Sequence, residues 1–154
     1  MTTESNKEAA RQFVEEVWNE KNLDVVDELY HPDYTGHWYA IGGDDVDREG
    51  MKEFVRGIHH GFPDFEMNIE FIHGADDLVT VGFTGLGTHE NEWMGIPPEE
   101  TPTRPDRPVP GHITSRFEDG KIVEGWSTWD ALSLMQGLGV LPEDLGALAP
   151  AADD

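Results

Sequence analysis

The dominant hydrophobic period changes from helical in the first half of this chain to extended in the second, and that change sets its class. Ala10, Phe13, Val14, Val17 and Trp18 recur at i, i+3, i+4, i+7 and i+8, one apolar face of a helix. After a polar break at 19–22, Asn22 is placed to cap a shorter helix with Leu23, Val25, Val26 and Leu29 inward, ended by Pro32. Residues 34–39 read as extended and aromatic, and a Gly/Asp turn follows at 42–45. Asp47 then caps a third helix carrying Met51, Phe54, Val55 and Ile58, closed by Gly61 and Pro63. From Phe65 the period is two: Phe65, Met67, Ile69 and Phe71 alternate with Glu66, Asn68 and Glu70, a strand with one wet face. A turn at 74–77 leads to a long strand at 78–89, where Gly82, Gly85 and Gly87 mark bulges or bends. Residues 97–110 carry six prolines and read as a loop. Strands at 113–117 and 122–129 flank Asp119-Gly120, a two-residue hairpin turn. A short helix at 131–135 follows. The order implies an α+β domain over 1–142 with an acidic tail at 143–154. A bent sheet around a helix leaves a cavity on its concave side, where small molecules bind.

Charge narrows the partners. Lys+Arg total 10 against 32 Asp+Glu, a net charge of −22, which disfavours nucleic acid and anionic membrane surfaces. The absence of cysteine excludes a disulfide framework, a thiolate metal site and a cysteine nucleophile. No apolar run approaches the roughly 20 residues of a membrane span, and the first residues lack a signal peptide's apolar stretch, so a soluble, cytoplasmic protein is expected. The 37% hydrophobic content and five tryptophans suffice for a core. The acids are dispersed: Asp44, Asp45, Asp47, Asp76, Asp77, Glu99, Glu100, Asp153 and Asp154 fall in turns, loops and the tail. Only Lys7, Lys21, Lys52 and Lys121 supply lysine, a balance resembling that of halophilic proteins. At ~1 M salt the Debye length is ~3 Å and self-repulsion is screened, so loss of the fold on dialysis to low salt is the expectation. No metal site is expected: His59 and His60 are adjacent and do not share a helix face. Phosphate loops and a Ser/His/Asp order are absent as well.

The final hairpin is the candidate site. Strict alternation from the pair Phe117–Ile122 puts Ile113, Ser115, Glu124, Trp126, Thr128 and Asp130 on one face, and His112, Thr114, Arg116, Val123, Gly125, Ser127 and Trp129 on the other. If the first face is concave, the Asp130 carboxylate lies beside the Trp126 indole in an apolar pocket, where desolvation suits it to acid/base work. The alternative is that Asp130 caps the helix beginning at Ala131. Trp126 and Trp129 read equally as core residues.

Five stretches carry a resemblance: ARQFVEEVWNEKNLDVVDELYHPDYTGH, GFPDFEMNIE, GTHENEWMGIPP, FEDGKIVEGWSTWD and QGLGVLP. In this order, across about residues 7–142, the chain resembles the SnoaL-like polyketide cyclases, or ester cyclases, of the nuclear-transport-factor-like superfamily. The resemblance implies a cone: a curved antiparallel sheet wrapped around helices, with an internal pocket. It implies ring closure by intramolecular aldol condensation of a small, apolar, carbonyl-containing substrate, with no metal and no organic cofactor. The aspartate of the family's W-x-x-x-D motif corresponds to Asp130, which by resemblance removes a carbon-bound proton and later protonates the alkoxide. His37 is implied as a second catalytic group, polarising a carbonyl. His89 and Arg116 are implied at the pocket, Arg116 only if a bulge turns it there, and Trp38, Tyr39, Trp93 and Trp126 as aromatic walls. Asp64 reads as a turn or cap. A homodimer or higher homo-oligomer through the outer sheet face is implied too. The chain departs from the family pattern after GIPP, where EETPTRPDRPVPGH is longer and proline-rich.

Three functions follow. The first is an enzyme moving a proton next to a carbonyl through Asp130. The second is a non-catalytic binder or dimerisation module on the same fold. The third is a hydrolase in which Asp130 activates water and His37 positions it.

Overall fold

A computed structural model of the chain describes residues 2–99 and 104–151. Glu100, Asp153, Asp154 and part of the proline-rich loop lie outside the described residues.

The first helix, α1 (Thr3–Gln12), is capped by Thr2, whose side chain accepts from the Ser5 amide. It continues as a π-helical stretch, Phe13–Asn19, and the expected apolar face is buried throughout, with Val17 fully so. The second helix, α2 (Asp24–Leu29), starts later than Asn22 implies: its N-cap is Leu23, with no side-chain cap. The Asn22 amide is instead drawn back to the Glu16 carbonyl at 2.8 Å, as the chain leaves the π-helical stretch through Lys21 in the left-handed region. In α3 (Arg48–Gly61) the expected cap forms, with Asp47 Oδ1 accepting from the Gly50 amide at 2.7 Å. The short α4 (Ala131–Gly137) follows the last strand.

Six strands, β1 (Tyr30–Trp38), β2 (Asp45–Val46), β3 (Glu66–Ala75), β4 (Leu78–Leu86), β5 (Val109–Glu118) and β6 (Lys121–Trp129), form one sheet in the order β2-β1-β6-β5-β4-β3. All neighbours are antiparallel except β1 and β6, which run parallel. Pro32 lies inside β1, where the pairing register slips between Tyr30 and Thr35, a place that tolerates a residue without an amide donor. Asp119 (φ 49°) and Gly120 (φ 79°) make the β5–β6 turn, both in the left-handed region that such a turn requires.

The inner face of the curved, unclosed sheet packs on α1, its π-helical extension and α3. Tyr30, Val79, Val81 and Ile122 from the sheet meet Val14, Val17, Met51 and Val55 from the helices, all essentially buried. Among the described residues no helix is long and apolar enough to cross a membrane.

Candidate active site

The register of the final hairpin decides what faces inward. Phe117 pairs with Ile122 as the turn demands, but Arg116 then pairs with Glu124, leaving Val123 as one extra residue on β6. Beyond this bulge Thr114 pairs with Trp126, Ile113 with Ser127 and Gly111 with Trp129. Because the side-chain period is two, the bulge brings Arg116 onto the face of Glu124 and Trp126 and puts Ser127 and Trp129 on the opposite one.

Ser127 and Trp129 line a cavity of about 80 Å³ between the sheet and the helices. Trp18 of the π-helical stretch, Trp38 of β1, Phe54 and Ile58 of α3, Phe83 of β4 and Leu134 of α4 complete much of its wall. Phe62 and Phe65, between α3 and β3, close one side, and Pro105 and Val109 bring the proline-rich loop against it. A Cβ on Gly85 would stand 2.8 Å from the Phe65 ring, so glycine lets that ring lie flush against β4. Among the described lining residues the polar side-chain groups are the Ser127 hydroxyl and the indole N–H groups of Trp18, Trp38 and Trp129, and none of these residues is titratable. Such a surface takes a compact apolar molecule with few polar atoms.

Asp130 adjoins this wall without being part of it. Its neighbours Trp129 and Leu134 line the cavity, while its carboxylate caps α4. Oδ1 accepts from the Ser133 amide at 3.0 Å and Oδ2 from the Ser133 hydroxyl at 2.6 Å. These bonds, the hydroxyl's first, hold the Asp130 carboxyl below the usual carboxylate range against a smaller opposing effect of burial. The cap expected from the sequence is therefore formed.

The remaining expected site residues divide into three groups. Trp38 lines the cavity. His89 and Trp93 are both 2% exposed and stand behind the wall, packed on Phe62 at ring distances of 5.2 and 5.7 Å. The third group gathers on the outer face. The His37 ring lies 5.6 Å from the Trp126 ring and stacks with Tyr39 at 6.4 Å. Its Nδ1 is 2.9 Å from Asp45 and its Nε2 2.8 Å from Glu124, which also accepts from Arg116 at 2.7 Å. Placing Trp126 and Asp130 together on a concave face is thus corrected by the β6 bulge, and His37, Tyr39 and Arg116 sit with Trp126 away from the cavity.

Glu124 first, then Asp45, raises the His37 pKa above the ordinary imidazole value. A raised folded-state pKa gives stability that is full below the unfolded value and fades as pH rises through the folded one. Wild-type Tm minus that of His37→Gln should therefore shrink as pH climbs from about 6.5; a difference independent of pH would contradict the ion pairs.

A polar group at the edge of the cavity was legible only as a turn. Asp64 accepts from the Thr88 amide (2.6 Å) and hydroxyl (2.7 Å) and from Arg104 (3.0 Å). Burial would raise its pKa, but the Thr88 bonds and the Arg104 charge leave it lowered. Thr88 follows Gly87 and Arg104 precedes Pro105, both of which line the cavity. The wall residues Trp18, Phe54, Phe65 and Phe83 carry no sequence signal beyond being apolar at core positions.

Comparison with known proteins agrees with this architecture. IdmH from Streptomyces antibioticus, described as a candidate polyketide cyclase, is 29% identical, with 87% of this chain and 98% of that one covered at a TM-score of 0.73. AclR from Streptomyces galilaeus, described as a candidate hydroxylase, is 24% identical over 96% of this chain and 88% of its own, at a TM-score of 0.79. A Catenulispora acidiphila protein with a ketosteroid isomerase-like fold, solved with trimethylamine, is 20% identical over 89% and 95%, at a TM-score of 0.68. A search of curated proteins returns no match. The family model for the SnoaL-like polyketide cyclases matches residues 8–138. The chain belongs to the SnoaL-like polyketide cyclase family.

Proposed function

We propose that the cavity binds a compact, apolar, carbonyl-bearing molecule and that Asp130, at its edge, is the acid/base of a cofactor-free ring closure. The observation that carries this reading is the placement of Asp130 between two cavity-lining residues, Trp129 and Leu134. The hydrogen bonds from Ser133 keep the carboxyl ionised at neutral pH, the form a general base needs. Each carboxylate oxygen retains a lone pair beyond the one given to Ser133.

The carboxylate takes a proton from the carbon next to a substrate carbonyl, leaving an enolate. The enolate carbon attacks a second carbonyl of the same molecule, forming the ring bond, and the new alkoxide recovers the proton from Asp130. Ser127, rather than the outward His37, is the hydroxyl-bearing side chain on the cavity wall and donates to the enolate oxygen. A substrate filling the cavity excludes water from the Asp130 carboxylate, which raises its proton affinity for the transfer.

Ser133→Ala tests the assignment. Removing a hydrogen bond to the charged form raises the Asp130 pKa, so the acid limb of the rate profile on a β-keto ester should move to higher pH. An unmoved limb would take the base role from Asp130.

A second reading, a binder without chemistry, is favoured by one observation: both Asp130 oxygens already serve Ser133. It expects an apolar ketone to raise Tm equally in wild type and Asp130→Asn, with no product from either.

A further inference from the structure

The apolar cavity, at about 80 Å³, has about half the ~150 Å³ in which a benzene-sized molecule is held. A molecule that closes a ring brings at least a ring's worth of atoms, so one wall has to give when it enters. Most of the wall lies in helices and strands; among the described lining residues only Phe62, Phe65, Gly87 and Pro105 do not. Hydrogen bonds fix the chain at the first three. The Phe62 amide donates to the Ile58 carbonyl at 2.8 Å and the Phe65 amide to the Phe62 carbonyl at 2.9 Å. Directly after Gly87, the Thr88 amide donates to Asp64 at 2.6 Å.

Pro105 is held differently. It is buried although it stands in a loop, and it has no amide to donate. Among the described residues no backbone hydrogen bond ties positions 104–108 to the rest of the chain. On one side Pro105 rests on α4, where a Cβ at Gly137 would stand 3.0 Å from the Pro105 Cβ, so glycine gives the proline its seat. On the other, Arg104 Nη1 donates to Asp64 Oδ2 at 3.0 Å and, more loosely, to the Thr88 hydroxyl at 3.4 Å. The two side chains of this ion pair are 51% and 46% exposed, and exposed pairs add little net stability. Pro105 is therefore the part of the wall that costs least to move.

We propose that Pro105, tethered by the Arg104–Asp64 pair, sets the largest molecule the cavity accepts. A molecule that fits the cavity as it stands leaves the tether intact. A larger one displaces Pro105 and stretches the tether, and so binds more weakly by that cost. The room gained is that of one small side chain. The class admitted is thus a carbonyl compound of about one ring, and a fused bicycle is held off. Arg104 acts through Pro105 and is a positioning residue. The inference rests on the reading of the cavity as the ligand site, and not on the role of Asp130.

Dissociation constants of 2-butanone, cyclohexanone and 2-decalone, measured by NMR titration, test it. Pro105→Ala should tighten 2-decalone relative to 2-butanone by about tenfold or more, the scale of a methylene group in an apolar pocket. Arg104→Gln should tighten both ring ketones relative to 2-butanone by up to about fivefold, the most that an exposed ion pair usually contributes. Arg104→Lys keeps a charge for Asp64 and should restore the wild-type ratios. Arg56→Gln, which breaks the exposed pair with Glu53 on α3, should leave them unchanged. Ratios equal to wild type in both Pro105→Ala and Arg104→Gln overturn the proposal and leave the cavity as the ligand site. Binding of no ketone by any of the proteins overturns the ligand-site reading itself, and this inference with it. If Pro105→Ala fails to fold, Arg104→Gln against Arg104→Lys decides.

Discussion

Asp130→Asn should slow the ring closure of a β-keto ester that carries a further ketone along its chain by about 10²–10⁴-fold, the usual contribution of a positioned general base, while fold and ligand binding persist. The two effects separate because asparagine caps a helix as well as aspartate does. Its Oδ1 still accepts from the Ser133 amide, now 3.0 Å from the Asp130 oxygen, and the Ser133 hydroxyl turns to accept from the new Nδ2. Circular dichroism and ketone-induced Tm shifts should match wild type. Turnover within about threefold of wild type, with binding intact, would remove Asp130 from the chemistry.

Trp18→Ala should cost about 3–5 kcal/mol of stability, typical for truncating a buried tryptophan. Trp18 is 5% exposed and serves both core and cavity wall, with the Phe65, His59 and Phe13 rings at 5.4, 5.9 and 6.5 Å. Its carbonyl also accepts from His59 Nε2 at 2.9 Å, so the ring truncation loosens a contact that fixes α3 against the π-helical stretch. For a chain of this length the loss should lower Tm by roughly 6–20 °C. Trp18→Phe should cost much less, because the indole Nε1 is buried without a partner among the described residues and its removal relieves that group. Equal losses in the two variants would show that a phenyl ring recovers nothing at this position and would contradict the relief of the buried Nε1.

Local patterns in the sequence are faithful where a structure is decided by near neighbours. The face formed by Ala10, Phe13, Val14, Val17 and Trp18 is buried even though the helix turns π-helical at Phe13, because either helix keeps those side chains on one side. The Asp47 cap and the Asp119-Gly120 turn form as their chemistry demands. Asn22 misleads by one position, because the helix takes Leu23 as its N-cap and forms no side-chain cap. The candidate site is less legible for one reason: a single extra residue, Val123, inverts every later side chain of β6 relative to a strict hairpin. Nothing in KIVEGWSTW announces it, and it moves Trp126 outward and Trp129 inward. The parallel pairing of β1 with β6, which brings His37 beside Trp126 and Glu124, joins segments almost ninety positions apart and has no local signature. Asp130 forms the helix cap read from the sequence, and its acid/base role is the proposal made above from its position beside the cavity-lining Trp129.

The most direct test of that position is deuterium incorporation from D₂O into the carbon next to the carbonyl of a bound β-keto ester, followed by NMR. Ring closure need not occur; only the first proton transfer is read. Wild type should speed incorporation at least about 10²-fold over Asp130→Asn, under conditions where a Tm shift shows that both bind the ester. Equal incorporation by the two bound proteins would contradict Asp130 as the base and leave the cavity as a binding site alone.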